Sequence, residues 1–95
     1  MSAWRVEYTE SAKQDIDSLS RPVRLQINKA VYKVSQNPLP RNEGGYGNPL
    51  RNKGGQNLTG LFKIKLLKPG IRVIYKLVRE DGVMKVIVVA ARADA

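Results

Sequence analysis

Between Leu61 and Leu66, Phe62, Ile64 and Leu66 alternate with Lys63 and Lys65. A period of two marks a strand with one face buried and the other wet. Pro69-Gly70 breaks the run as a turn between antiparallel strands does. A second strand follows, with Val73, Tyr75 and Leu77 on one parity and Arg72 and Lys76 on the other. After a tight-turn signal at Glu80-Asp81-Gly82, Val83 to Ala91 reads as a third strand. Its run Val86-Ile87-Val88-Val89 is apolar on both parities, which predicts a place inside the sheet. Near the start, Ala3 to Tyr8 alternates weakly, with Trp4, Val6 and Tyr8 on the core parity of a short strand.

Between the first strand and the central hairpin the period changes. Thr9 suits a helix N-cap, Glu10 suits the first turn, and Ala12, Ile16 and Leu19 share one helical face. Asp15 and Asp17 point different ways on such a helix and read as a solvated face. Ser20 and Pro22 restart the chain. Val23, Ile27, Ala30, Val31 and Val34 form the stripe of a second helix, which Asn37-Pro38 ends. Arg21, Arg24, Lys29 and Lys33 fall mostly off that stripe, as solubilising charges do. The elements predict an α+β fold of order β-α-α-β-β-β: a small, largely antiparallel sheet with a helical hairpin on one face. The other face is left to solvent and to the basic residues.

The segment from Pro38 to Asn57 has five glycines, at 44, 45, 47, 54 and 55, and few side chains able to pack. It contains neither GxxxxGK[ST] nor GxGxxG, so its glycines do not spell a phosphate loop. It reads as a mobile connection anchored near Pro49-Leu50.

Charge changes the picture most. The 95 residues carry 17 Lys and Arg against 8 Asp and Glu. The excess is concentrated on the strand-rich half after Leu58. Such a surface draws polyanions and speeds their encounter. Lys63, Lys65, Arg72 and Lys76 alternate along the central hairpin. Whether they share a face depends on register, which the sequence leaves open. There is no histidine, which excludes imidazole acid–base pairs, Ser-His-Asp triads and HExxH zinc sites. There is no cysteine, hence no disulfide and no thiolate zinc site, as suits a reducing cytoplasm. No apolar run approaches the roughly 20 residues of a membrane helix. The length fits one domain, 1–95.

Several of these residues together resemble the RelE group of the RelE/ParE toxin superfamily. They are Leu50, Leu58-x-Gly60-Leu61-Phe62-Lys63-Ile64-Lys65, Gly70-Ile71-Arg72-Val73-Ile74-Tyr75, and a final strand ending in Ala91-Arg92. The resemblance implies the toxin of a bacterial toxin–antitoxin pair, cytoplasmic, neutralised by an acidic RelB-like antitoxin. It implies cleavage of messenger RNA in the ribosomal A site by the RNA's own 2′-hydroxyl, with no metal and no cofactor. By the same resemblance, Lys63 and Lys65 match the family's lysine pair, Arg72 its phosphate-binding arginine, and Arg92 the arginine proposed as general acid or transition-state stabiliser. The family pattern runs on to a catalytic tyrosine. This sequence ends at Ala95, before that position, which leads us to expect an impaired nuclease.

The chemistry fits these residue types. In-line attack on a phosphodiester builds charge on the phosphorane oxygens, and fixed Lys and Arg donors stabilise it. A lysine held among other cations is also suited to move the 2′-proton. Arginine is a poor proton donor, so Arg72 and Arg92 are expected to act through their charge. Two other readings compete: a ParE-type inhibitor of DNA gyrase, and a non-catalytic basic nucleic-acid-binding module. A gyrase inhibitor has no need of a phosphate clamp. A binding module usually exposes aromatics for stacking, whereas Phe62 and Tyr75 lie on the core parity.

Overall fold

The computed structural model describes residues 4–50, 60–66 and 70–91. The order is β1 (Arg5–Tyr8), α1 (Glu10–Asp17), α2 (Arg21–Ser35), β2 (Asn48–Pro49), β3 (Leu61–Leu66), β4 (Ile71–Val78) and β5 (Val83–Ala91). The sheet runs β1-β5-β4-β3-β2. The expected α+β architecture is present, with one strand more than the pattern predicted. β1 pairs parallel to β5, and the other pairings are antiparallel.

One side of the sheet carries the core. Phe62 and Ile64 from β3, Val73 and Tyr75 from β4, and Met84, Val86 and Val89 from β5 meet Ala12 of α1 and Ile27, Val31 and Val34 of α2. Full burial of side chains of this size is worth about 1.5–3 kcal/mol each. The Phe62 and Tyr75 rings, opposite each other across β3 and β4, stack at 5.1 Å.

β5 lies inside the sheet, as its apolar run predicted, but a bulge also contributes to that run. Tyr75 pairs with Val86 and Ile74 with Val88, so Ile87 is the extra residue. The insertion moves the buried parity from Met84 and Val86 to Val89. β1 ends opposite Val86. Beyond it, the start of α1 takes over the edge of β5. The Thr9 amide donates to the Val86 carbonyl at 3.0 Å, and the Thr9 hydroxyl donates to the Ile87 carbonyl at 2.9 Å. The same hydroxyl accepts from the Ala12 amide, the N-cap expected of Thr9. Asp15 is not simply solvated: its Oδ2 accepts from the Val89 amide at 3.3 Å. Ser20 occupies the N-cap position of α2 with no side-chain cap bond, and Pro22 lies in the first turn.

The expectation of a loose connection fails between Pro38 and Leu50. Pro38 is fully buried. A 3-10 turn spans Arg41–Glu43, Pro40 bridges to Gly47, and β2 pairs with Phe62 and Lys63. Glycine here packs by its backbone, which a count of side chains able to pack does not register. A Cβ on Gly47 would sit 2.6 Å from the Pro38 carbonyl oxygen. The anchor expected at Pro49-Leu50 is there, as the Leu50 amide donates to the Leu61 carbonyl at 2.9 Å. Residues 51–59 lie outside the described residues, as does Pro69 of the β3–β4 turn. Gly70 in that turn has φ +88°, a conformation that suits glycine.

Candidate nucleic-acid interface

The register of β3 against β4 settles what the sequence left open. Lys65 stands opposite Arg72, Lys63 opposite Ile74, and Leu61 opposite Lys76. Directly opposed residues project to the same side of a sheet. Lys63, Lys65, Arg72 and Lys76 therefore share one face, and it is the face without helices.

The Lys65–Arg72 rung is the closest juxtaposition of the four. The Leu61 carbonyl faces β2, since it accepts from Leu50. Backbone direction alternates along a strand, so Lys65 also turns its backbone away from β4. Lys65 and Arg72 therefore form a non-hydrogen-bonded pair, the kind whose Cα atoms approach to about 4.5 Å. Like charges set opposite each other in this way destabilise a sheet. Among the described residues, no carboxylate forms an ion pair with Lys65, Arg72 or Lys76. Ion pairs among the described residues include Arg5–Glu7 on β1 and Arg79–Glu43. In the second, Arg79 Nη1 donates to Glu43 Oε1 and Nη2 donates to Oε2, each at 3.0 Å, joining the 3-10 turn at Arg41–Glu43 to the β4–β5 turn. The hydrogen bonds from Arg79 hold the Glu43 carboxyl below its ordinary range.

The bulge sets what lies beside the rung. Arg72 pairs with Ala90 and Ile74 with Val88, so small and apolar side chains flank the cations on β5. An anion settling there meets two positive groups over a weakly polar floor, where electrostatic attraction is less damped than in open water.

No protein-family model matches the sequence, and a search of curated proteins finds no match. Solved structures do match. The isolated Escherichia coli RelE toxin superposes with a TM-score of 0.80 at 27% identity, over 98% of this chain and 88% of that one. E. coli RelE in the intact RelBE toxin–antitoxin complex gives 0.73 at 26%, over 98% of this chain and all of that one. An E. coli RelE mutant in complex with a peptide of the antitoxin RelB gives 0.75 at 31%, over 99% of this chain and 87% of that one. The chain belongs to the RelE toxin family.

Of the RelE residues expected from the sequence, Lys63, Lys65 and Arg72 come together on one face. Arg92 lies outside the described residues; Ala91, before it, pairs with Ile71 at the end of the ladder. Two features of this RelE chain escaped the sequence reading. Lys85 stands opposite Lys76 and adds a further cation to the same face. Register hid it, because the pairing across the β4–β5 turn is not written in the sequence. The second is a cavity of about 360 Å³ where α2 faces the edge of β3, lined by Lys33, Arg41, Tyr46, Asn48, Lys63 and Lys65 over an apolar floor. Its polar residues come from three separate stretches, so no single motif announces it.

Proposed function

We propose that this chain is the toxin of a toxin–antitoxin pair and that it cuts messenger RNA in the ribosomal A site, stopping translation. The observation that carries this reading is the Lys65–Arg72 rung: two cations opposed at close range on an open sheet face, with no carboxylate partner among the described residues. The fold tolerates that repulsion, and a bound phosphate relieves it. In the reaction the 2′-oxygen attacks the adjacent phosphorus and the bond to the 5′-oxygen breaks. The products are a 2′,3′-cyclic phosphate and a 5′-hydroxyl, with one proton lost to water and one regained by the leaving oxygen. Charge gathers on the non-bridging oxygens as the phosphorane forms. Lys65 and Arg72 are held by backbone pairing to meet it, so little reorganisation is needed at that moment. Lys63 extends the contact along the strand, and Arg92 follows the end of β5 as a further phosphate ligand. The chemistry asks for no cofactor.

The same face suits an acidic antitoxin. A segment rich in Asp and Glu folding across β3 and β4 would neutralise the cations and block the RNA. The RelBE complexes among the similar structures support a partner of this kind.

Induced expression followed by primer extension on a cellular message tests the reading. Codon-phased cuts confined to translated RNA are expected even from an impaired nuclease, and Lys65→Ala or Arg72→Ala should abolish them while leaving the fold intact. Uncut message with poisoned DNA gyrase would overturn it in favour of a ParE-type inhibitor.

A further inference from the structure

The cavity between α2 and β3 is built differently from the sheet face beside it. Tyr46 is 51% exposed, yet its backbone is fixed. Its amide donates to the Asn37 carbonyl at 2.8 Å, and Gly45 and Gly47 on either side press against the backbone of Pro38 and Leu39. The ring is therefore a stiffly mounted aromatic surface in contact with solvent. Lys33, in the last turn of α2, stands over it with Nζ 5.7 Å from the ring centroid. Arg41 lines the same cavity, and among the described residues no Asp or Glu does. β2 begins opposite Lys63, so among the described residues no strand pairs with the outer edge of β3 at Lys65, which lines both this cavity and the cation face.

We propose that this cavity is a nucleotide subsite for single-stranded RNA, in which Tyr46 stacks on a base while Lys33 and Arg41 take the phosphate next to it. An aromatic ring among cations, with no acidic side chain, is the combination that binds single strands by stacking and charge together. At about 360 Å³ the space suits one nucleotide rather than a run of several. Lys65 makes the path continuous. A strand with one phosphate on the Lys65–Arg72 rung needs only to pass over the edge of β3 at Lys65 to place a neighbouring base against Tyr46. The subsite rests on the proposed cutting of RNA for its purpose, and it would favour the base that stacks best at that position. A carboxylate-rich peptide could satisfy Lys33 and Arg41, but it would leave the Tyr46 ring unused.

The test uses the full chain and a short single-stranded 2′-O-methyl oligoribonucleotide carrying one 2-aminopurine, which cannot be cut and loses fluorescence on stacking. Binding should quench the probe. Tyr46→Phe should retain the quench. Tyr46→Ala should abolish it and weaken binding by about 5- to 150-fold, the range for loss of one stacked base. Lys33→Gln should weaken binding and reduce its salt dependence. A Tyr46→Ala protein with an unchanged melting temperature that binds and quenches like the wild type would overturn the proposal. So would a variant that loses an acidic peptide but keeps the RNA. The subsite and the proposed activity can fail separately. Quenching that depends on Tyr46, in a protein that leaves translated message whole, keeps the subsite and removes the nuclease. Phased cutting by a chain that never quenches the probe does the reverse.

Discussion

The Tyr75 hydroxyl donates to the Pro38 carbonyl at 3.0 Å, both groups being fully buried. Tyr75 belongs to the central strand of the core, and Pro38 opens the segment that carries Arg41 and Tyr46. This one bond thus ties the loop side of the cavity to the sheet. Tyr75→Phe keeps the stacking on Phe62 and removes only the donor. It should cost about 1–3 kcal/mol, the usual penalty for leaving a buried carbonyl unsatisfied. Urea denaturation would show a lower midpoint with an unchanged slope, and hydrogen exchange should quicken at Tyr46 and Gly47 more than in β4.

Alkaline pH should weaken the fold through the same side chain. Burial pushes the phenols of Tyr75 and Tyr8 above their ordinary value of 10.0. In the unfolded chain both ionise near that value, whereas in the folded chain they keep their protons to higher pH. Above pH 10.0 the unfolded state therefore holds fewer protons, and stability falls as pH rises. Below that pH these two groups contribute no slope. A series of urea midpoints at increasing pH should decline from there upward, and the decline should be shallower in Tyr75→Phe.

The opposition of Lys65 and Arg72 separates a functional residue from a structural one by sign. A residue kept for stability costs stability when it is replaced. Here Lys65→Gln relieves a like-charge pair and should raise stability by about 0.2–1 kcal/mol while abolishing RNA cutting. The gain should shrink in high salt, because exposed charges are screened. Thermal melts at two ionic strengths would show it. A clear loss of stability would mean that Lys65 has a structural partner.

Glycine in the segment before β2 serves two purposes that a pair of substitutions can distinguish. Gly44 has φ +86° with open space where a Cβ would point. Gly44→Ala should therefore cost about 1–2 kcal/mol of backbone strain and nothing more. At Gly47 the φ is unremarkable, but a Cβ would lie 2.6 Å from the Pro38 carbonyl oxygen, the acceptor of the Tyr75 bond. Gly47→Ala must shift that backbone. It should lower stability and also weaken the 2-aminopurine quench, whereas Gly44→Ala should leave the quench intact.

These cases show where the sequence was legible. The alternation of Phe62, Lys63, Ile64 and Lys65 states which residues face the core, because a strand has a period of two and one face is buried. It cannot state that Lys65 meets Arg72, since register is set by the turn that joins the strands. Parity is legible until a bulge intervenes, and Ile87 lies in an apolar run that offers no polar marker. The joining of Lys33 to Tyr46 was least accessible. It depends on a glycine-rich segment folding back on Pro38, and glycines packed by their backbones look in sequence like glycines that are free to move.

Thr9 offers the last test, because one hydroxyl serves two elements. It accepts from the Ala12 amide at the start of α1 and donates to the Ile87 carbonyl at the bulge of β5. The bulge in turn puts Ala90 beside Arg72. Thr9→Ala removes both bonds and should cost about 1–2 kcal/mol, the upper part of the range for a lost N-cap. Thr9→Ser keeps a hydroxyl able to accept and donate, so it should recover most of that loss. Thr9→Asn separates the two roles: its amide caps the helix well, but it is shaped differently for the Ile87 carbonyl. If the bulge depends on Thr9, Thr9→Asn should restore helix protection in hydrogen exchange yet leave the amides of Val88 and Val89 exchanging faster than in the wild type. Equal protection of those amides in all three variants would mean that the bulge is held by the sheet alone.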